Sequence, residues 1–123
     1  MSHAVVGLDH VALAAPPGCE RKAREFFGEV VGLDELVKPD ALADRGGVWF
    51  VCGDQQLHIG ADEDHEPARK AHPAFAVREL DALEERLVEA GHETRPDASF
   101  DGRRRFHTDD PFGNRLEFVE AAE

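Results

Sequence analysis

Two stretches of the sequence are nearly repeated: DHVALA at 9–14 and AHPAFA at 71–76. Their histidines are 62 positions apart. A second pair, QLHI at 56–59 and RLEF at 115–118, follows at a spacing of 59. Self-similarity at a fixed spacing indicates one supersecondary unit that is used more than once. The sequence therefore predicts a unit of about 60 residues that occurs twice.

Residues 1–123 are interpreted as a single domain made of two modules. The first module spans 5–60 and the second spans 71–120. The segment 61–70 between them is rich in charged residues and contains one proline, which is typical of a solvated linker. Each module reads as a strand, a helix and three short strands.

The helices are the clearest elements in the pattern. Between residues 19 and 31, apolar side chains recur at spacings of three and four, which predicts an amphipathic helix. In the second module, Asp81 and Glu84 have the spacing of a capping box, and Gly91 is placed to end the helix. The other segments read as short strands: 5–14, 33–38, 47–52, 55–60, 72–77, 92–95, 103–108 and 115–120. This pattern predicts an α+β fold in which the helices cover sheet faces.

The composition restricts the classes of partner. Asp and Glu number 26 against 14 Lys and Arg, which gives a net charge of −12. Such a chain lacks the basic surface that nucleic acids and anionic membranes require. No apolar run is long enough to span a bilayer, and the first residues do not read as a signal peptide. We therefore expect a cytoplasmic protein in which Cys19 and Cys52 are free thiols.

Side-chain alternation along the strands separates large apolar residues from polar ones. In four of the predicted strands, the face opposite the large apolar residues carries His10, His58, His72 or Glu117. If the two modules curl toward each other, these four side chains converge in one hollow. Imidazoles and a carboxylate are suitable ligands for a first-row divalent metal ion.

Three stretches carry a resemblance to a known family: GLDHVALAAP at 7–16, AHPAFAV at 71–77 and DDPFGNRLEFVE at 109–120. They resemble the vicinal oxygen chelate superfamily, which includes glyoxalase I, methylmalonyl-CoA epimerase, extradiol dioxygenases and bleomycin-binding proteins. The resemblance implies paired βαβββ modules that form a cup-shaped, glyoxalase-like mixed sheet. It also implies a divalent metal ion, Zn, Ni, Co, Mn or Fe, held by first-strand and last-strand residues. His10, His72 and Glu117 match those positions, and His58 stands where relatives have a glutamate or glutamine.

Family resemblance also implies a function. The expected protein is a metal-dependent enzyme that acts on a small oxygenated metabolite by bidentate chelation and Lewis-acid catalysis, as an isomerase, lyase, epimerase or dioxygenase. Glu117 and His58 are the candidate catalytic groups, and His58 could be a ligand, a base or a substrate contact. The alternative is a metal-free protein that sequesters a cationic antibiotic such as bleomycin. By analogy with relatives, a homodimer is expected, and the cup could form within one chain or between two.

Other residues are candidates for contacting the substrate. Arg103 and Arg105 could face the cup and hold a carboxylate or phosphate. Phe50 and Phe106, with Trp49, Phe100 and Phe112, could form an apolar wall. The remaining histidines have no counterpart in the repeat and are interpreted as surface residues: His3, His65, His92 and His107.

Overall fold

The computed structural model describes residues 1–97 and 101–122. Eight strands form two four-stranded sheets, with the order β1-β4-β3-β2 in the first and β5-β8-β7-β6 in the second. In each sheet the first and last strands of the module are parallel neighbours, and the other pairs are antiparallel. The strands are β1 His10–Ala15, β2 Glu35–Leu36, β3 Val48–Cys52, β4 Gln55–Ala61, β5 Ala74–Val77, β6 Arg95–Asp97, β7 Arg105–Asp109 and β8 Arg115–Glu120. The predicted α+β class is confirmed.

The first helix lies where the apolar periodicity predicts it. It begins as the α-helix α1, Glu20–Ala23, and continues as a π-helix over Arg24–Val30. The wider turn is visible in the bond from the Val31 N–H to the Phe26 carbonyl, 2.9 Å. Phe26 and Phe27 are buried, so the helix presents its apolar stripe to the sheets. The second helix, α2, spans Leu80–Glu89.

Three local predictions were wrong. Residues 5–9 are not part of β1, because only residues from His10 onward pair with β4. A 3₁₀-helix, Asp40–Arg45, occupies a segment for which the sequence predicted no element. The capping box at Asp81 is not formed, because α2 begins after Glu79 without a side-chain cap and Glu84 instead accepts the Thr94 hydroxyl at 2.8 Å.

Each sheet has one face against the helices and one open face. On the helix face, the buried side chains of both sheets join in one hydrophobic core with the two helices. The sheets contribute Val48, Phe50, Leu57, Ile59, Phe106, Leu116 and Phe118. The polar residues that alternate with them lie on the open faces, as strand parity predicts. Within the described ranges, no helix is long and apolar enough to cross a membrane.

The two modules are joined by a buried turn. Asp110 accepts the backbone N–H groups of Phe112 and Asn114, both at 2.9 Å. The Asn114 side-chain amide donates to the Ala14 carbonyl in β1 at 2.8 Å and also to Asp110 at 2.9 Å. The turn between β7 and β8 therefore holds the edge of the first sheet.

Gly47 occupies a position that a side chain cannot. Its φ is 87°, and a Cβ there would lie 2.1 Å from the Ile59 carbonyl oxygen. We expect Gly47→Ala to lower the free energy of unfolding by about 2–4 kcal/mol. Gly53 also has a positive φ, 59°, but nothing lies within 4 Å, so Gly53→Ala should cost only about 1–2 kcal/mol. Urea unfolding measures both, and equal losses would show that the Ile59 contact is not the cause.

Candidate metal centre

Three potential metal ligands lie together on the open face of the second sheet. His72 precedes β5, His107 lies on β7, and Glu117 lies on β8. Their ligand atoms are all within 4.8 Å of one another. The sheet register explains the arrangement, because His107 and Ala74 are the two cross-strand partners of Glu117. Among the described residues, this is the group of His, Cys, Asp and Glu side chains that could hold a metal ion.

Both ring nitrogens of His72 lie next to hydrogen-bond acceptors. Its Nδ1 is 2.7 Å from the Lys70 carbonyl, and its Nε2 is 2.9 Å from Glu117 Oε1. Both partners are acceptors, but a neutral imidazole has only one N–H. A neutral ring can therefore satisfy only one of these two acceptors. A metal-ligating histidine usually donates its other N–H to a carbonyl or carboxylate, so the residues fit a divalent ion bound at Nε2.

His107 was interpreted as a surface residue, and that interpretation was wrong. It is only 6% exposed, and its Nε2 lies 3.2 Å from Glu117 Oε1. Its Nδ1 is 3.7 Å from a carboxylate oxygen of Asp97, so both edges of the ring face negative charge. Strand parity contained the signal, because within 103–108 His107 shares a face with Arg105. The repeat did not indicate it, because the equivalent residue of the first module is Trp49.

Glu117 is a buried carboxylate with three side-chain donors around it. Burial opposes its ionisation, but the bonds from His72, Arg105 and His107 outweigh burial and hold the pKa of Glu117 below its ordinary value. Arg105 donates to Oε2 at 2.9 Å, while both histidines lie within hydrogen-bonding distance of Oε1. The carboxylate is therefore ionised and fixed in orientation at neutral pH.

Arg105 lies inside this network, although the sequence suggested it for substrate binding. Its side chain is 6% exposed and is also bonded to Asp101. Arg103 lies further out and bonds to Asp101 and to the Glu120 carbonyl. Both arginines are committed to groups of the protein itself.

Asp101 should make stability depend on pH. The Arg105 guanidinium and the Arg103 backbone N–H hold the pKa of Asp101 at about 2, below its ordinary value of 3.8. Because the folded-state pKa is depressed, the stabilisation is present above about pH 4 and is lost as pH falls toward about 2. Asp101→Asn should therefore be less stable than the wild type at neutral pH, with a difference that shrinks in acid. Chemical unfolding at several pH values tests this, and a constant difference would contradict it.

His10 and His58 lie on the other sheet and are not part of the group of three. The Trp49 and His58 rings are stacked with centroids 3.7 Å apart, and His58 is stacked on His10 at 4.2 Å. Burial, followed by the nearby His10, lowers the pKa of His58. His58 Nε2 is 2.8 Å from Gln56 Oε1. The four predicted ligands thus form two half-sites, His10 with His58 and His72 with Glu117.

The register shows how the two half-sites are related. Ala12 pairs with His58 in the first sheet, and Ala74 pairs with Glu117 in the second. His58 is therefore the internal counterpart of Glu117. By the same register, Trp49 opposite His58 is the counterpart of His107 opposite Glu117.

The predicted aromatic wall is divided between two locations. Phe50 and Phe106 are 0% and 2% exposed and lie in the core, facing the helices rather than the open faces. Phe112 packs against the same core. Trp49 lies on the open face with His58. Phe100 lies outside the described residues.

Paired modules, each with a four-stranded mixed sheet and one open polar face, define a class of α+β proteins built from a duplicated βαβββ unit. The family model of the Glyoxalase/Bleomycin resistance protein/Dioxygenase superfamily matches residues 7–118. The chain belongs to this superfamily. A comparison with curated protein sequences found no match.

Solved structures agree with this assignment. A protein from Bacillus anthracis assigned to the glyoxalase family is 46% identical, covers 99% of this chain and 100% of its own, and has a TM-score of 0.93. Two more distant structures share the fold. Lactoylglutathione lyase from Agrobacterium tumefaciens is 22% identical over 93% of this chain and 92% of its own, with a TM-score of 0.73. The second is a mutant of the fosfomycin resistance protein FosX from Listeria monocytogenes, complexed with Mn(II) and a dihydroxypropylphosphonic acid. It is 18% identical, covers 97% of this chain and 95% of its own, and has a TM-score of 0.80.

Proposed function

We propose that this protein is a metal-dependent, glyoxalase-like enzyme that acts on a small oxygenated metabolite. The observation that carries the proposal is the geometry of His72, His107 and Glu117, whose ligand atoms lie within 4.8 Å of one another. A set of two imidazoles and one carboxylate suits a first-row divalent ion and leaves coordination positions open. The Mn(II) in the FosX complex supports the choice of a divalent ion for this fold.

Each residue of the centre has a separate role in this proposal. His72 and His107 would hold the ion through Nε2, and Glu117 would hold it through Oε1. Arg105 keeps Glu117 ionised and oriented through Oε2. A divalent ion held there would polarise two neighbouring oxygens of a substrate and stabilise developing negative charge.

His58 is the better candidate for the proton acceptor. Glu117 already accepts three side-chain bonds, which makes it a weak base. His58 has a lowered pKa and is therefore neutral at pH 7. If Nε2–H donates to Gln56, the Nδ1 lone pair remains available, and the rings of Trp49 and His10 restrict the orientation of the imidazole.

A homodimer would bring the two half-sites together. Within the described chain, His10 and His58 are not part of the His72 group. The apolar side chains of Val5, Val6 and Leu8 are strongly exposed just before β1. We propose that the first sheet of one chain faces the second sheet of another, burying these residues. Light scattering should give twice the chain mass, and Val6→Asp should shift the protein to the monomer.

Metal content is the direct test of the proposed function. Untagged protein, purified without chelators and supplemented in turn with Mn, Fe, Co, Ni and Zn, should retain about one ion per chain. His72→Ala should lose it, whereas His3→Ala, which removes an exposed histidine outside the site, should retain it. Elemental mass spectrometry provides the count. Little metal in every sample would refute the metal-dependent enzyme.

The alternative is a metal-free protein that sequesters a cationic antibiotic such as bleomycin. The net charge of −12 and the ring stack of Trp49, His58 and the exposed His10 favour it, because a planar cation can stack on such rings. Stoichiometric binding of metal-free bleomycin by a protein that takes up no metal would support this second function.

A further inference from the structure

We propose that Arg115 is the anion-binding residue of this site. The substrate would then be a small organic acid that carries a second anionic group, a carboxylate or a phosphate, next to its metal-chelating oxygens. The inference rests on the proposed metal-dependent function and adds a substrate class to it.

The first observation is the pairing of the arginines on the open face of the second sheet. Arg95 is bonded to Asp109 at 3.0 Å. Arg105 is bonded to Glu117 and Asp101. The Arg115 side chain shares this face, yet it makes no ion pair or hydrogen bond with any other residue that the structure describes. Its planar guanidinium is therefore available for two parallel bonds to an incoming carboxylate or phosphate.

The second observation is where Arg115 lies. It is two residues before Glu117 in β8, on the same face, which places the two Cα atoms about 6.6 Å apart along the strand. Arg115 is half-buried and lines a cleft of about 560 Å³ together with His72. Of the three proposed metal ligands, His72 lines this cleft, so a small ligand held there would lie between the guanidinium and the edge of the proposed metal centre.

The remaining lining of the cleft favours a compact ligand with an aliphatic part. Its walls include Val11, Leu13, Ala68 and Pro73. Glu66 in the exposed linker also lines the cleft, but among the described residues no carboxylate, Glu66 included, is within ion-pair distance of Arg115. These walls offer little to a large polar group, whereas Arg115 offers a polar anchor beside the proposed metal centre.

The test compares acids that chelate alike but differ in the second group. Lactate and hydroxymalonate both present a hydroxyl and a carboxylate, and hydroxymalonate replaces the methyl group with a second carboxylate. Hydroxyphosphonoacetate carries a phosphonate at the same place. Each acid is titrated into the Co(II)-loaded protein, and the visible spectrum of Co(II) reports both ligand binding and metal retention.

Wild-type protein should bind at least one of the two dianions about ten-fold or more tightly than lactate. The tighter dianion identifies the natural group as carboxylate or phosphate. Arg115→Gln should remove this preference and leave lactate affinity unchanged. Arg95→Gln, the matched control on the same face, should keep it. Equal affinity of the wild type for all three acids, or equal losses in both variants, would overturn the inference.

Failure of the proposed function would be visible separately. If no Co(II) spectrum develops, the metal centre is refuted, and the same dianions are titrated calorimetrically into the metal-free protein. Binding that Arg115→Gln abolishes would uphold the anion site without the metal. If the metal-free protein binds neither dianion, the anion site is overturned together with the metal centre.

Discussion

Glu117→Gln should bind Co(II) at least about 100-fold more weakly than the wild type, since even the outer hydrogen-bonding partners of metal ligands are worth 10–100-fold. The substitution keeps the shape of the side chain and removes the only carboxylate in the group of three. Two imidazoles would remain, and Arg105 would face a neutral amide. Competition with a fluorescent chelator measures the affinity.

Glu120→Gln provides the matched control for that experiment. Glu120 lies three residues further along β8 and pairs with Arg104 rather than with a histidine. The Glu120→Gln variant should bind Co(II) like the wild type. If Glu117→Gln and Glu120→Gln both bind Co(II) like the wild type, Glu117 is not a ligand. Circular dichroism of each variant confirms that a lost site does not reflect an unfolded chain.

Phe50→Ala should lower the free energy of unfolding by about 3–5 kcal/mol. The ring is fully buried and contacts Phe27, with centroids 5.9 Å apart, so truncation leaves a cavity in the shared core. Guanidinium unfolding provides the measurement. At a temperature where the variant is folded, its Co(II) affinity should be unchanged, because the ring faces the helices and not the open face.

The neighbouring Trp49 is the control for this second prediction. It lies on the open face of the same strand and is only partly buried, so Trp49→Ala should cost less than Phe50→Ala. If the order were reversed, the assignment of the two sheet faces would be wrong. If Phe50→Ala instead weakened ligand binding without lowering stability, Phe50 would line the ligand pocket as the sequence predicted.

Much of the fold could be predicted because its signals are local. The repeat of DHVALA by AHPAFA and the alternation along each strand indicated two modules and the faces on which His72 and Glu117 lie. The π-helical widening after Ala23 could not be predicted, because its apolar spacing is also compatible with an α-helix.

The candidate site was only partly predictable, for a different reason. Parity fixes the face on which a side chain lies but not the angle between two sheets, so the separation of His10 and His58 from His72 could not be read from the sequence. The role of Arg105 depends on which carboxylates surround it after folding. Phe106 could have been placed correctly, since it alternates with Arg105 and His107. Phe50 could not, because its neighbours Trp49 and Val51 are also apolar.

The equivalent register of His58 and Glu117 means that the two copies of the unit have taken on different chemistry at one and the same position. An ancestral pair of identical copies would have offered the same side chain twice. In this protein one copy carries an imidazole and the other carries a carboxylate whose pKa is held below its ordinary value. Because both units lie in one chain, the equivalent position can hold a different side chain in each.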